Sequence, residues 1–326
     1  MRDTGPRYDG PTALTDDDRV GLAGLLADVA ARDGVEPLSE EHLIALRPEA
    51  PPARAWVVRD AARVVGLASR RGDAVEVVVH PEHRRRGLGR ALVTAALDDA
   101  AAQPALGDPS APSGPDAPPA PGVPAVWAHG DLAPARALAA DLGLVRAREL
   151  LRLERASRPG DAELPELPGA LRLADLPASE REAALRSWLR LNAVAFRDHP
   201  EQGRWTWEDV ATRVAEPWFD PSLLLLVPDD AGSDLAASLW IKPQPPVGGR
   251  ERAEVYVVAV HPDATGRGLG RSLLDHALGL LARRGVRYVE LYVDGGNAPA
   301  VRLYDRAGFG VVERHAQYVR GASSTA

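Results

Sequence analysis

The chain has 326 residues, of which 45% are hydrophobic and 26% charged, with a formal net charge of -7 and no cysteine. That length favours two domains of roughly 150 residues each, and the composition is that of a soluble globular protein with no apolar run long enough for a membrane span. Disulfides and thiolate metal sites are excluded, and the acidic balance disfavours a nucleic-acid partner.

The first residues, "MRDTGPRYDGPTALTDDDR", contain no apolar stretch of the kind a secretory signal needs, so a cytoplasmic location is expected. The first informative element is the apolar, β-branched run Val75 to Val79, which reads as a buried strand. His80-Pro81 stops it, and "RRRGLG", Arg84 to Gly89, forms a glycine turn that opens a helix. Residues 102–124, rich in Pro, Ala, Gly and Asp, read as a disordered surface loop. The following stretch 131–144, "DLAPARALAADLGL", predicts a short helix closed by a glycine. A break at 155–170 separates it from "LRLADLPASEREAALRSWLRLNAVAF", read as a strand and a helix. Val255 to Val260 is a second buried strand, again followed by His-Pro and a glycine turn, "TGRGLG", Thr265 to Gly270.

The resemblance between these stretches is an internal repeat. Residues 75–92 align without a gap on 256–273, and 131–144 align on 296–309, "GNAPAVRLYDRAGF". The chain is therefore expected to be a duplicated α/β module, a mixed sheet with flanking helices: a first domain over 1–156, a linker over 157–170 and a second domain over 171–326.

A glycine turn between a strand and a helix suits an anion. Glycines allow close approach, successive backbone N–H groups point outward, and the helix dipole adds partial positive charge. Neither copy has the lysine of a nucleoside-triphosphate P-loop, and "GRGLGRS" lacks the third glycine of a dinucleotide fingerprint in register. What remains is Arg or Gln, two residues, Gly, one residue, then Gly or Ala, and with that pattern the sequence resembles the GNAT acetyltransferases. "RRRGLG" matches fully, whereas Thr265 stands at the usual Arg or Gln position of the second copy.

The resemblance implies a pyrophosphate loop for acetyl-CoA in each copy. In the first, Val77, Val78, Val79, Arg85, Arg86, Gly87, Leu88, Gly89 and Arg90 would surround the coenzyme. In the second, the corresponding strand is Val258, Ala259 and Val260, with a backbone N–H there for the oxyanion. The loop is Thr265, Gly266, Arg267, Gly268, Leu269, Gly270 and Arg271, and the helix entry is Asn297, Ala298, Pro299, Ala300, Val301 and Arg302. It further implies Tyr304 as general acid to the coenzyme sulfur, where the first copy has Ala139. A phenol, with an ordinary pKa of ~10, is close to a leaving thiol. Glu254, at the start of the strand, is the candidate general base. Asp73 is its counterpart, and chemistry is accordingly expected in the second copy alone.

Over most of the chain outside 102–124, "DGVEPLSE", "AVAFRDHPEQGRWT", "SLWIKP" and "LYVDGGNAPAVRLY" resemble the mycothiol acetyltransferases, a tandem-GNAT family. That likeness implies the last step of mycothiol biosynthesis, acetylation of the cysteinyl amine of a cysteine-glucosamine-inositol conjugate. It places Glu36, Glu201, Lys242, Glu254 and Tyr292 around the acceptor. No metal is expected, and a monomer with a small-molecule amine substrate is. A tandem GNAT acting on an aminoglycoside, a polyamine or a protein N-terminus would share the coenzyme sites, and a non-catalytic acetyl-CoA-binding regulator would have no use for Tyr304.

Overall fold

The computed structural model describes residues 8–48, 54–102, 123–197, 202–230 and 234–321. The chain divides into two compact units, Met1–Leu150 with Arg314–Ala326, and Leu151–Glu313.

Unit 1 begins with β1 (Asp9–Thr12), α1 (Asp16–Asp33) and α2 (Glu40–Ala45), followed by the meander β2 (Arg54–Asp60), β3 (Arg63–Arg71) and β4 (Ala74–Val79). The glycine turn leads into α3 (Leu88–Ala102), then β5 (Ala125–Ala128), α4 (Ala133–Asp141) and the first part of β6 (Leu144–Ala156). Unit 2 takes the rest of β6, then β7 (Leu171–Arg172), α5 (Ala178–Ala195), α6 (Trp207–Val214), β8 (Leu224–Pro228), β9 (Leu235–Val247), β10 (Arg250–Val260), α7 (Leu269–Arg283), β11 (Tyr288–Asp294) and α8 (Ala298–Arg306). The last strand, β12 (Gly310–Arg320), starts in unit 2 and ends in unit 1.

Each unit is a mixed sheet with helices on both faces, as the repeat predicts. In unit 1 the order β1-β2-β3-β4-β5 is antiparallel except for the parallel pair β4/β5, and Ala316–Val319 of β12 pair antiparallel with Ala125–Ala128. In unit 2, β11-β10-β9-β8-β7 repeats the plan, with β10/β11 parallel. Alternation along each strand feeds two cores per unit. In unit 2 one core joins Ala253 and Val255 of β10 and Val289 and Leu291 of β11 to Leu273, Leu274 and Tyr304. The other packs Val257 and Trp240 against Trp188, Val210 and Leu185.

Two expected boundaries differ from the structure. Residues 157–170, expected as a linker, lie inside unit 2, where Leu164, Leu167 and Ala170 pack against the core. Arg155 pins the segment by pairing with Asp161 and donating to the Ala307 carbonyl at 3.1 Å. The end of the chain, expected in the second domain, supplies Ala316 and Tyr318 to the core of unit 1. The first shift escapes composition because a few buried anchors suffice to dock a Pro- and Glu-rich segment, and the second because strand pairing is non-local. Of the 102–124 segment expected to be disordered, Ala102 ends α3, and residues 103–122 lie outside the described residues.

Candidate active site

The two glycine turns have closely similar backbones. Each strand ends in a histidine whose Nδ1 accepts from a backbone N–H two residues on, Glu82 for His80 and Asp263 for His261, both at 3.3 Å. These histidines fasten the turn, as their duplication suggests. Gly266 and Gly268 have φ of 83° and 79°, and Gly87 has 81°, values that favour glycine. Leu88 and Leu269 then open α3 and α7; the Arg271 N–H donates to the Gly268 carbonyl at 3.1 Å, whereas the first N–H groups of each helix precede any intrahelical acceptor, an arrangement that favours an anion.

Most of the loop arginines already have partners. Arg84 holds Asp33 through two bonds of 2.9 and 2.7 Å and donates to the Val79 carbonyl at 3.1 Å. Thr265, at the equivalent position, donates to the His261 carbonyl at 3.4 Å, a smaller brace of the same turn. Arg267 pairs with Asp230 at 3.2 and 3.1 Å, Arg271 with Asp275 at 2.7 Å, and Arg90 with Asp141. Arg86 donates to the Glu82 carbonyl at 3.1 Å. The turns therefore present backbone amides more than free guanidinium groups. Asn297 accepts from the Ala300 N–H at 3.1 Å and so caps α8, with Ala298 and Pro299 opening that helix.

Between loop and core, the parallel ladder of each unit stops early. The β10/β11 register runs from Arg252/Tyr288 to Val255/Leu291, although the strands continue to Val260 and Asp294. A bulge at Tyr256 breaks the β9/β10 register at the same level. The His261 N–H donates to the Ala236 carbonyl across β9 at 2.8 Å, and by alternation the N–H groups of Val258 and Val260 point away from β9. They face the opening beyond the end of the β10/β11 ladder, where the sequence expects an oxyanion donor. Unit 1 repeats this geometry, its β4/β5 ladder ending at Glu76/Trp127.

On the sheet face of unit 2 opposite α7, period-2 alternation gathers polar side chains from five strands. Glu254 is 8% exposed, stands directly opposite Lys242 on β9 and beside Glu290 on β11, and accepts from Gln244 Nε2 at 2.6 Å. Lys242 Nζ lies 5.0 Å above the Trp218 ring and 5.3 Å above Tyr256, where the ring faces attract its charge. Arg213 stacks on Trp205 at 3.8 Å and donates to the Tyr256 hydroxyl at 2.8 Å. Arg152 donates to Glu290 at 2.9 Å and Glu313 at 2.8 Å, and Arg252 donates to Glu290 at 2.7 Å and Glu154 at 3.0 Å. Tyr292 is 44% exposed at the end of this face. Loss of solvent around its hydroxyl, with the charges of Glu254 and Glu290, pushes its pKa up, so it remains an O–H donor.

Tyr304 belongs to the other face. It is 7% exposed on α8, its ring 5.9 Å from that of Phe309, and burial pushes its pKa to about 12. Glu254 and Tyr304 thus stand on opposite faces of a sheet that opens between β10 and β11.

Unit 1 differs at both positions: Ala139 replaces the tyrosine, and Asp73, the counterpart of Glu254, lies in the turn before β4. Three residues on, at the end of the β4/β5 ladder, Glu76 is 2% exposed and enclosed by its own unit. Ser39 N–H donates to it at 2.8 Å, and the Nε2 atoms of His129 and His42 lie 3.2 and 3.8 Å from it. His315 Nδ1 accepts from the Gly130 N–H at 3.3 Å and faces His129 Nδ1 at 3.2 Å. With the Gly130 N–H donating to His315 Nδ1, His129 Nδ1 is the donor of the histidine pair, and its Nε2 is turned to Glu76. Against the cost of burial, His42 and His129 hold the Glu76 carboxyl down at about 2. Beside this cluster runs a cleft of about 550 Å³, lined by Val77–Val79, Arg84, Arg85, Gly87–Arg90 and one face of α4.

Of the residues expected around the acceptor, the structure groups Lys242, Glu254 and Tyr292 in unit 2. Glu36 is exposed in unit 1, between α1 and α2, and Glu201 lies outside the described residues. Gln244, Arg152, Arg252, Glu290 and the Glu76 cluster were not anticipated. Alternation in "RYVELYV" and "RLERA" carried a signal for the unit 2 network, whereas nothing local marks His42, His129 and His315 as neighbours. Among the described residues no group of three His, Asp or Glu side chains could hold a metal, and no helix is long and apolar enough to cross a membrane.

Two splayed sheets, each with a glycine turn at a helix N-terminus, define a tandem GNAT acetyltransferase. The acetyltransferase (GNAT) family model matches residues 185–309, and the acetyltransferase (GNAT) domain model matches residues 51–111. A GCN5-related N-acetyltransferase from Sphaerobacter thermophilus shares the fold, with a TM-score of 0.65 and 23% identity over 97% of this chain and 96% of that one. So does a tandem GNAT protein from the clavulanic acid biosynthesis pathway, with a TM-score of 0.63 and 21% identity over 98% and 99%. Sequence similarity is closer to the mycothiol acetyltransferase of Beutenbergia cavernae, 45% identical over 93% of this chain and 98% of that one. The mycothiol acetyltransferase of Clavibacter michiganensis subsp. michiganensis is 44% identical over 92% and 90%. The chain belongs to the mycothiol acetyltransferase family and is an acetyl-CoA-dependent N-acetyltransferase.

Proposed function

We propose that unit 2 transfers the acetyl group of acetyl-CoA to the cysteinyl amine of a cysteine-glucosamine-inositol conjugate. The reading rests on the family to which the chain belongs and on one contrast. Unit 2 has an acceptor-side carboxylate flanked by hydrogen-bonding groups together with a buried phenol, whereas unit 1 has an alanine and an enclosed carboxylate.

In this mechanism Glu254 removes a proton from the acceptor's ammonium group, with Gln244 holding the carboxylate in place. The free amine attacks the thioester carbonyl in the opening between β10 and β11. The N–H groups of Val258 and Val260 stabilise the developing oxyanion. Collapse breaks the carbon–sulfur bond; Tyr304 gives its proton to the departing thiolate, and the second proton lost from the acylated nitrogen restores the phenol. Lys242, Tyr292 and the arginine–carboxylate network beside them suit an uncharged polyol, which needs several directional hydrogen bonds and no countercharge. Unit 1 binds the coenzyme without turning it over, since Glu76 is committed to His129 and Ser39.

The test is acetylation of the cysteinyl conjugate by purified protein, compared with an aminoglycoside, a polyamine and a peptide N-terminus. Preferred turnover of one of the other amines would remove the acceptor assignment and leave the GNAT chemistry standing.

A further inference from the structure

The cleft of unit 1 is more than a copy of the coenzyme groove in unit 2. Its outer end carries the glycine turn at Arg84–Arg90, where the pyrophosphate would sit. Val93, Val126, Leu138, Ala139, Leu142 and Leu144 line the same cleft, with Tyr318 packed among them. The six aliphatic side chains carry no polar atom, and Tyr318 gives its hydroxyl proton to Asp131 at 2.7 Å.

The repeat explains why that space exists. Ala139 and Leu144 occupy the positions of Tyr304 and Phe309. In unit 2 those two rings pack 5.9 Å apart and belong to the core. In unit 1 a methyl group and an isobutyl group stand in their place. The volume of the phenol, which in unit 2 would point at the thioester sulfur, is left to the cleft. On the acceptor side, by contrast, Ser39 and His42 close over Glu76, so an acyl group held there has no approaching amine.

We infer that unit 1 is a receptor for acyl-CoA whose acyl group is apolar and larger than acetyl. This rests on the reading that unit 1 binds the coenzyme, and adds the acyl specificity of that site. An acetyl group leaves the apolar end unfilled, whereas a butyryl group extends into it. Each additional buried methylene is worth roughly a factor of four in affinity, so butyryl-CoA should bind unit 1 about fifteen-fold more tightly than acetyl-CoA.

The experiment is two-site calorimetric titration of the full chain with CoA, acetyl-CoA and butyryl-CoA. Wild type should bind two equivalents, with one site preferring butyryl-CoA by about tenfold or more. Ala139→Tyr, which restores the ring found in unit 2, should abolish that preference and leave acetyl-CoA turnover unchanged. Ala135→Leu narrows the same wall one turn earlier and provides a second variant should Ala139→Tyr fail to fold. Two equivalents with no acyl preference, or a preference that survives both substitutions, would overturn the inference and spare the coenzyme reading. A single equivalent with every thioester would overturn both.

Discussion

Replacing Glu76 by Gln tests whether unit 1 uses its carboxylate for structure. The substitution keeps the shape and removes the charge that faces His129 and His42, in a site where Glu76 is only 2% exposed. Breaking a buried pair from one side costs on the order of 3–5 kcal/mol. The pKa gives an independent magnitude: a carboxyl held at about 2, against an ordinary 4.5, corresponds to about 3 kcal/mol. The sign follows from the depressed folded value. The contribution is fully present above pH 4.5 and is lost as pH falls towards 2. Urea unfolding followed by circular dichroism should show the transition of unit 1 in Glu76→Gln destabilised by about 3 kcal/mol at pH 7. The gap from wild type should narrow below pH 4.5, and acetyl transfer per folded molecule should be unchanged. Equal stability at pH 7, or a gap that widens on acidification, would refute the ion-pair assignment. Loss of turnover in a fully folded variant would refute the placement of chemistry in unit 2.

Tyr304→Phe should lower kcat by about 10²-fold or more, the usual contribution of a positioned acid, with acetyl-CoA affinity nearly unchanged by titration. Gln244→Leu removes the donor at 2.6 Å from Glu254; because that bond favours the charged form, the acidic limb of the kcat/KM profile should move to higher pH. Gly268→Val forces a β-branched residue to a φ of 79° at the start of α7, and should raise the KM for acetyl-CoA in steady-state assays more than it lowers kcat. Asp161→Ala should strand the Arg155 guanidinium, which is buried, destabilise unit 2 by about 3 kcal/mol, and expose residues 157–170 to limited proteolysis.

The repeat, the two glycine turns and the tyrosine-for-alanine contrast were legible because each depends on local order along the chain. Glycine spacing, a strand-ending His-Pro and a helix with its closing glycine are written within a dozen residues. Lys242, Glu254 and Tyr292 could be placed only through the family likeness, since a charged residue in a strand does not announce which face it takes. The bulge at Tyr256 and the early end of the β10/β11 ladder are properties of pairing between strands. They have no signature in either strand alone.

By itself, then, the sequence determined a duplicated α/β acetyltransferase and which copy carries a tyrosine on its last helix, because those features are periodic and local. Tertiary structure alone decided that β12 ends in unit 1, that residues 157–170 are anchored, and that His42, Glu76, His129 and His315 converge. The physical reason is separation along the chain: His129 and His315 are 186 residues apart, and only the closing of a sheet brings such groups within hydrogen-bonding distance.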